Sequence, residues 1–265
     1  MHYRRPTIGL ALGGGGARGL AHIGVLKVLE RERIHISCLS GTSMGGVVAA
    51  AYAAGVPLDQ LALEAARLGN LTRMLELIDR KFHLFSGLFS NSGIQKYLGR
   101  LLGEHTTFET LCIPLALSAV DNRTGREVVL QSGNLLQAVN ATMALPGAVA
   151  PVIMGDMLLS DGGTLNNVPA DLVRSMGAEM VIAVNVSPAV KDMFHDTRFI
   201  PAAATAIWRA NNIANSAITL AKLRKANPDL LICPELRPSI TTLTGFKYAS
   251  EVITAGERAA LQSLI

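Results

Sequence analysis

Hydrophobic residues along the chain form short runs typical of buried strands and longer stretches with helical spacing. Residues 7–12 are apolar and lead into four glycines at 13–16, which predicts a strand that runs into a loop. Residues 17–33 carry aliphatic side chains three or four positions apart, as an amphipathic helix does. Residues 35–40 predict a second strand, and residues 44–54, apolar nearly all round, predict a buried helix. This alternating order is typical of parallel α/β folds.

The remainder of the chain continues the pattern without a repeat or an obvious linker. Strands are predicted at 115–120, 127–130, 157–160, 180–186 and 230–233. Helices are predicted at 135–145, 169–176, 203–226 and 246–264, and residues 58–110 are predicted to be helical with interruptions. We therefore predict a single three-layer α/β domain with a central, mostly parallel sheet flanked by helices. Residues 7–176 form its core, and residues 177–265 complete the same domain.

Composition and charge narrow the function classes. The 265 residues are 49% hydrophobic and 17% charged, which predicts a folded chain with some apolar surface for a lipid or a subunit. The net charge of +4 comes without any run of basic residues, which argues against a nucleic-acid partner. The three cysteines are far apart and show no metal-binding spacing, so we expect neither a metal nor another cofactor, and a cytoplasmic location.

A glycine-rich loop between the first strand and the first helix is the first candidate for chemistry. Gly14, Gly16 and Gly19 fit the pattern G-x-G-x-x-G. Glycines let backbone N–H groups approach a ligand closely, and the start of a helix favours negative charge, so the loop suits a phosphate or an oxyanion. The second strand ends without the carboxylate that a dinucleotide site requires. A tight turn without a ligand is the alternative interpretation.

The sequence Gly41-Thr42-Ser43-Met44-Gly45 is the second candidate. It is a G-x-S-x-G motif between a predicted strand and a predicted helix, as a nucleophile elbow requires. The alternative is that Ser43 only caps the helix. Loops that follow adjacent parallel strands emerge at the same edge of the sheet, so the glycine-loop amides are expected to face the space above Ser43. A nucleophile beside preorganised N–H donors is the layout of a serine hydrolase.

Two residues are candidates for the base that such a serine needs. His195 follows the serine in the order of α/β-hydrolases, but it lies in a loop of 188–201 without clear periodicity. Asp161 directly follows a short strand and is followed by Gly162 and Gly163. Burial raises the pKa of a carboxylate and makes it a better base, although Asp-Gly is also a common turn pair. A solvated loop histidine and a turn aspartate are the alternatives, so the residues alone leave the identity of the base open.

Together, the glycine loop, the motif around Ser43 and Asp161-Gly162-Gly163 resemble those of patatin-like phospholipases, in particular a bacterial member of the neuropathy-target-esterase type. The resemblance covers residues 7–176. It implies a Ser–Asp dyad in which Ser43 is the nucleophile and Asp161 the general base. It further implies acyl-ester hydrolysis of phospholipids or lysophospholipids through an acyl-enzyme, without metal. The implied oxyanion hole and supporting motif positions are Gly14, Gly15, Gly16 and Arg18, with Gly19, Gly41, Gly45, Gly162 and Gly163.

Two stretches bear on substrates and partners. Phe82, Phe85 and Phe89 are candidates for an acyl-chain wall, with ordinary helix core as the equal alternative. The predicted helix 203–226 ends in basic residues beside apolar ones, which allows peripheral contact with the inner membrane face, although a solvated helix end is favoured. An oligomer is compatible with the composition. Two further functions stay open: an acyltransferase, and a non-catalytic regulatory module that binds phosphate or nucleotide through the glycine loop.

Overall fold

A computed structural model describes residues 6–69, 91–187, 202–242 and 244–265 of the chain. The strands in these ranges are β1 (Ile8–Leu12), β2 (Ile36–Gly41), β3 (Leu115–Asp121), β4 (Arg126–Leu130), β5 (Val152–Met154), β6 (Met157–Asp161), β7 (Met180–Val184) and β8 (Leu230–Ile232). The α-helices are α1 (Ala21–Arg31), α2 (Met44–Ala53), α3 (Leu58–Leu68), α4 (Asn91–Leu102), α5 (Leu135–Thr142), α6 (Ala170–Ser175), α7 (Ala202–Ala226) and α8 (Ala249–Leu264). Short 3₁₀ turns cover Gly16–Leu20, Phe108–Thr110, Gly162–Thr164 and Thr244–Tyr248.

All eight strands belong to one sheet, in which hydrogen-bonded neighbours follow the order β5-β6-β3-β2-β1-β7-β8 and β4 also pairs with β3. The pairs along β3-β2-β1-β7-β8 are parallel, whereas β4, β5 and β6 join by antiparallel pairing. The prediction of a central, mostly parallel sheet is confirmed. The short strand β5 was not predicted, because its three residues are too few to show an alternating pattern.

The sheet separates two apolar layers. In β1, Leu10 and Leu12 belong to the larger core, and the intervening Ala11 belongs to the smaller one, because successive strand side chains point to opposite faces. Helices α1 to α5 and α8 contribute to the larger core, and α6 and α7 to the smaller core. Helix α8 crosses α1 closely: a Cβ atom on Gly24 would lie 2.0 Å from the carbonyl oxygen of Ile253. The layers agree with the predicted three-layer architecture.

Strands β2 and β6 approach each other along the same flank of β3. Leu117 pairs with Gly41 of β2, and Ala119 pairs with Asp161 of β6, while both residues pair with β4 on their other side. A strand can pair with one neighbouring strand on each side. Because β4 occupies one side of β3 at both residues, β2 and β6 lie on the other side. Because β2 is parallel and β6 antiparallel to β3, their carboxyl ends face each other, about 7 Å apart along β3. This convergence brings two loops distant in sequence to one place.

The predicted helix boundaries needed small corrections. The predicted helix 17–33 begins as the 3₁₀ turn Gly16–Leu20 before α1, because the glycine loop bends the chain there. The predicted helix 135–145 ends at Thr142, before Pro146. Within 58–110, α3 and α4 are helical as expected, and the part between them lies outside the described residues. None of the described helices combines the length and apolarity needed to cross a bilayer.

Candidate active site

Ser43 lies at a sharp turn between β2 and α2. Its backbone has φ 54° and ψ −126°, a conformation that non-glycine residues rarely adopt and that costs on the order of 1–3 kcal/mol. The turn brings α2 against the end of β1, so that a Cβ atom on Gly45 would lie only 2.2 Å from the carbonyl oxygen of Leu12. Likewise, a Cβ atom on Gly41 would lie 2.7 Å from the nitrogen of Gly46. Ser43 therefore lies half-buried at a helix N-terminus, in a tight strand-to-helix turn.

Asp161 ends β6 opposite this turn, and the Ser43 hydroxyl acts on its carboxylate in the direction that lowers its pKa. The Asp161 side chain is 4% exposed, and its Oδ1 also accepts the N–H of Gly163 at 2.7 Å. Burial raises the pKa of Asp161 to about 6, although Ser43 and the hydrogen bond from Gly163 act in the opposite direction. Gly162 lies tightly against β3, because a Cβ atom there would be 2.3 Å from the carbonyl oxygen of Ser118.

The end of α5 holds the backbones of both residues. The Ser43 N–H donates to Oγ1 of Thr142 at 3.0 Å, and the Thr142 hydroxyl donates to the carbonyl oxygen of Ser118 at 2.6 Å. The Asp161 N–H donates to the carbonyl oxygen of Ala144 at 2.9 Å. Thr142 is fully buried and bridges the gap between the ends of β2 and β6. Sequence reasoning did not identify this threonine, since a threonine in an apolar helix gives no distinguishing signal.

The glycine loop passes directly beside the serine. A Cβ atom on Gly14 would lie 3.1 Å from Cβ of Ser43. Of the four predicted oxyanion donors, Gly14 donates its N–H to the carbonyl oxygen of Asn167 at 2.9 Å, and Arg18 donates its N–H to that of Gly15 at 3.2 Å. Among the described residues, no hydrogen bond engages the N–H of Gly15 or Gly16, and both glycines are half-buried. Of the four candidates, Gly15 and Gly16 are thus the two whose backbone N–H groups have no hydrogen-bond partner in the described part of the chain.

Two buried basic side chains anchor the loop. The guanidinium of Arg18 donates from Nε to the carbonyl oxygen of Val186 at 2.8 Å and from Nη1 to that of Ile240 at 3.0 Å. Nε2 of His22 lies 2.7 Å from the carbonyl oxygen of Gly13, which makes it the donor of that hydrogen bond. Burial lowers the pKa of His22 to about 4 and keeps the ring neutral at neutral pH. Both side chains therefore support the loop structurally.

The segment after Asp161 connects both loops. The Thr42 hydroxyl donates to the carbonyl oxygen of Asn166 at 2.8 Å. Nδ2 of Asn167 donates to the carbonyl oxygen of Gly14 at 3.3 Å, so Asn167 accepts from and donates to the same glycine. Gly19 completes the contact between the glycine loop and α2, because a Cβ atom there would lie 2.6 Å from Cγ of Met44. The three predicted motifs thus lie at one edge of the sheet.

Other sequence candidates do not join this site. Phe82, Phe85, Phe89 and His195 lie outside the described residues. Within the described residues, no three histidine, cysteine, aspartate or glutamate side chains gather as a metal site would require. The arrangement can therefore be described as a serine hydroxyl, a buried carboxylate of raised pKa and two open backbone amides. Chemically, these groups suffice to deprotonate a nucleophile and to bind an oxyanion.

Two curated proteins illustrate what this chain resembles in sequence. Patatin-like phospholipase domain-containing protein 6 of Mus musculus is 37% identical over 185 residues, which are 68% of this chain and 13% of that protein. An NTE family protein of Mycobacterium tuberculosis is 37% identical over 182 residues, which are 69% of this chain and 49% of that protein. The chain thus spans less than half the length of these relatives.

The fold has a counterpart among solved structures. The match to VipD of Legionella pneumophila covers 98% of this chain and 66% of VipD, with a TM-score of 0.52. At 14% sequence identity, this match shows a similarity of fold alone. The family model described as patatin-like phospholipase matches residues 10–174, which include the glycine loop, Ser43 and Asp161. With more than half of the chain matched, this protein belongs to the patatin-like phospholipase family.

Proposed function

We propose that this protein is a serine acyl-ester hydrolase that cleaves phospholipids or lysophospholipids through an acyl-enzyme. The observation that carries the proposal is the juxtaposition of Ser43, at the strained turn after β2, with the buried carboxylate of Asp161 at the end of β6. Ser43 is the nucleophile, and Asp161 is the general base. The family membership and the names of the relatives support a lipid ester as the substrate class.

In the acylation step, Oγ of Ser43 forms a bond to the ester carbonyl carbon while its proton moves to a carboxylate oxygen of Asp161. The raised pKa of Asp161 makes this carboxylate a stronger base than an exposed aspartate would be. The tetrahedral intermediate then loses the alcohol of the ester, which takes the proton from Asp161. The acyl group stays on Ser43 as an ester.

The negative charge of the tetrahedral intermediate falls on the former carbonyl oxygen. The amides of Gly15 and Gly16 are the donors proposed to hold it, because their hydrogens have no partner among the described residues. Amides fixed by a folded loop need no reorganisation when the charge develops, and losing one such donor typically costs about 10²–10³ in rate. The dipole of α2, which begins after Ser43, adds to the stabilisation.

Water completes the cycle. Asp161 takes a proton from water as the water oxygen bonds to the acyl carbonyl carbon. When the bond to Ser43 breaks, Asp161 returns the proton to the serine oxygen and the fatty acid leaves. If an alcohol took the place of water, the same steps would transfer the acyl group, so the groups present are compatible with an acyltransferase as well.

Fluorophosphonate labelling tests the proposal directly. The reagent is expected to add one mass increment to the wild-type protein, mapped to the peptide that contains Ser43. Ser43→Ala should give no adduct, and Asp161→Asn should react at least 100-fold more slowly while keeping its circular dichroism spectrum. Release of fatty acid from phospholipid and lysophospholipid vesicles, with and without an added alcohol, then separates hydrolysis from acyl transfer.

The same experiment identifies the alternative. Full reactivity of Asp161→Asn would overturn the dyad. A folded wild-type protein that forms no adduct, but is stabilised against heat by phosphate or nucleotides, would instead indicate a non-catalytic module that binds through the glycine loop.

A further inference from the structure

Helix α7 turns its apolar side away from the protein. Ile207, Ile213 and Leu220 are 67%, 51% and 50% exposed, and the alanines between them on the same side are exposed too. At 3.6 residues per turn, these residues fall within a sector of about 140° around the helix axis. The outward stripe consists of Ile207, Ala210, Ile213, Ala214, Ala217 and Leu220.

The opposite side of α7 is the one that meets the protein. Leu223 is buried in the smaller core, and Thr219 is buried as well. Asn212, Asn215 and Ser216, which precede them on that side, are half-buried. An ordinary surface helix has the reverse arrangement, with apolar residues toward the core and polar residues toward solvent. The solvent-facing side of α7 therefore carries apolar residues, where a surface helix ordinarily carries polar ones.

The stripe lies toward the edge of the sheet that carries Ser43. Helix α7 ends at Ala226 next to the amino edge, where the N–H of Asp229 donates to the carbonyl oxygen of Val181. As part of the crossover between the parallel strands β7 and β8, α7 returns from the carboxyl edge to the amino edge. Its 25 residues extend about 37 Å, roughly twice the length of β7, so its earlier turns reach the catalytic edge.

The charges of α7 have one sign. The helix contains Arg209, Lys222, Arg224 and Lys225, and it contains no aspartate or glutamate. Lys222 pairs with Glu127 and with Asp171, which fixes the helix to the body of the protein. Arg224 and Lys225 are exposed at the end of the stripe. An apolar helix side with basic residues at its end matches a bilayer surface that carries anionic headgroups.

We propose that the outward stripe of α7 is a docking surface for an anionic lipid bilayer, which it brings to the edge of the sheet that holds Ser43. The inference rests on the proposed function in that a lipid hydrolase must reach its substrate at a surface. Ile207, Ile213 and Leu220 insert at the boundary between headgroups and acyl chains, and the basic residues contact the headgroups.

Vesicle sedimentation tests the surface without catalysis. Ser43→Ala protein is mixed with vesicles of phosphatidylglycerol and phosphatidylcholine, or of phosphatidylcholine alone. We expect binding to the anionic vesicles that falls steeply between 20 mM and 500 mM salt, since about 1 kcal/mol per basic residue is screened. Arg224→Gln with Lys225→Gln should weaken binding about 25-fold, and Ile213→Gln with Leu220→Gln should weaken it at least tenfold.

A matched control lies on the other face of the sheet. Leu63 of α3 and Leu261 of α8 are 52% and 38% exposed. Leu63→Gln with Leu261→Gln removes a similar amount of apolar surface there and should leave vesicle binding unchanged. An equal loss in the control and in the α7 variant would overturn the proposal, as would unchanged binding in both α7 variants.

Activity on a soluble short-chain ester separates this inference from the proposed function. In the enzyme with Ser43 intact, the α7 variants should keep full activity on that ester and lose activity only on vesicles. A protein that hydrolyses the ester but does not bind anionic vesicles overturns the docking surface alone. If the wild-type protein binds vesicles but its Ser43 does not react with fluorophosphonate, the docking surface is supported and the proposed hydrolase is overturned. A dimer interface is the remaining alternative. If sedimentation equilibrium shows a dimer that Ile213→Gln with Leu220→Gln breaks, while vesicle binding is retained, the stripe would bind a second copy of this chain and not a bilayer.

Discussion

The N–H of Ser43 donates a hydrogen bond of 3.0 Å to Oγ1 of Thr142, a residue 99 positions later in the chain. The Thr142 hydroxyl in turn donates a hydrogen bond to the carbonyl oxygen of Ser118. The backbone of Ser43 adopts a strained conformation that persists only where its surroundings fix it. Thr142 is thus the side chain that ties the strained turn to β3, between the ends of β2 and β6.

We predict that Thr142→Val lowers kcat on a soluble ester about 10–100-fold and changes KM little. Valine has the same shape, but it leaves the half-buried N–H of Ser43 without its acceptor, which costs about 1–3 kcal/mol. The turn then relaxes and misplaces the serine oxygen relative to Asp161. Steady-state kinetics well below the unfolding temperature measures the change.

The control for this prediction is Thr142→Ser, which retains the hydroxyl and should keep activity within about threefold of wild type, since both hydrogen bonds can form. Equal losses in the valine and serine variants would mean that the threonine methyl group, and not the hydrogen bond, matters. A valine variant with wild-type kcat would contradict the positioning role.

The pH dependence of labelling follows from the environment of Asp161. Burial raises the pKa of this carboxyl to about 6, so the base form is lost as pH falls through that value. We predict that the fluorophosphonate rate constant is highest above pH 7 and falls about tenfold for each pH unit below 6. Rates measured from pH 4.5 to 8 check this. A profile that is flat, or that has its midpoint near pH 4, would contradict it.

The same burial predicts a trade-off between activity and stability. A carboxyl whose pKa is raised on folding favours the folded state only when protonated, and this contribution is lost as pH rises through about 6. Asp161→Asn should therefore raise the free energy of unfolding at pH 7 by about 2–3 kcal/mol while it slows labelling at least 100-fold. The gain should shrink as pH falls toward 4. Denaturant unfolding at both pH values measures it.

Asp121 offers a control of opposite sign. Its carboxylate accepts the N–H of Leu158 and the hydroxyl of Thr124, and these hydrogen bonds lower its pKa. A carboxyl whose pKa is lowered on folding stabilises the folded state at any pH above the ordinary pKa of aspartate. This stabilising contribution is lost as the pH falls. Asp121→Asn should thus destabilise the protein at pH 7. If both asparagine variants changed stability in the same direction, the pKa of Asp161 would not explain the gain.

The motif residues and most of the strands could be predicted because their signals are local. Ser43 and Asp161 each follow a short apolar run and precede glycines, and this pattern indicates loops at strand ends. The approach of β6 to the end of β2 could not be derived, because an antiparallel strand pairing with a distant partner leaves no periodic trace. The resemblance to a family, rather than periodicity, supplied the pairing of serine with aspartate.

The proposed oxyanion donors show a second limit of sequence reasoning. All the glycine-loop amides look equivalent in the sequence, yet Gly14 donates to Asn167, whereas Gly15 and Gly16 have no such partner among the described residues. The difference depends on a segment about 150 positions away. Thr142 was missed for the same reason, since its partners lie in β3 and the serine turn. Hydrogen-bond partners across the fold, and not residue types, decide these roles.

Arg18 yields the last prediction, because its buried guanidinium holds two carbonyl groups from distant segments. Nε and Nη1 bond to Val186 and Ile240, in a fork geometry that a lysine ammonium cannot reproduce. Arg18→Lys should lower the free energy of unfolding by about 2–3 kcal/mol, since hydrogen bonds to charged groups contribute that much when buried. Arg31→Lys, an exposed matched change, should alter it by less than about 0.5 kcal/mol.

Labelling kinetics determine whether Arg18 also positions the glycine loop. The loop lies between Arg18 and Ser43, so a displaced arginine anchor should move the amides of Gly15 and Gly16 away from the oxyanion. At a temperature where Arg18→Lys is fully folded, we expect the fluorophosphonate rate constant to fall about tenfold, the effect of weakening rather than deleting a donor. A variant that loses stability but labels at the wild-type rate would restrict Arg18 to folding. Loss of rate without loss of stability would mean that the guanidinium acts on the bound substrate instead.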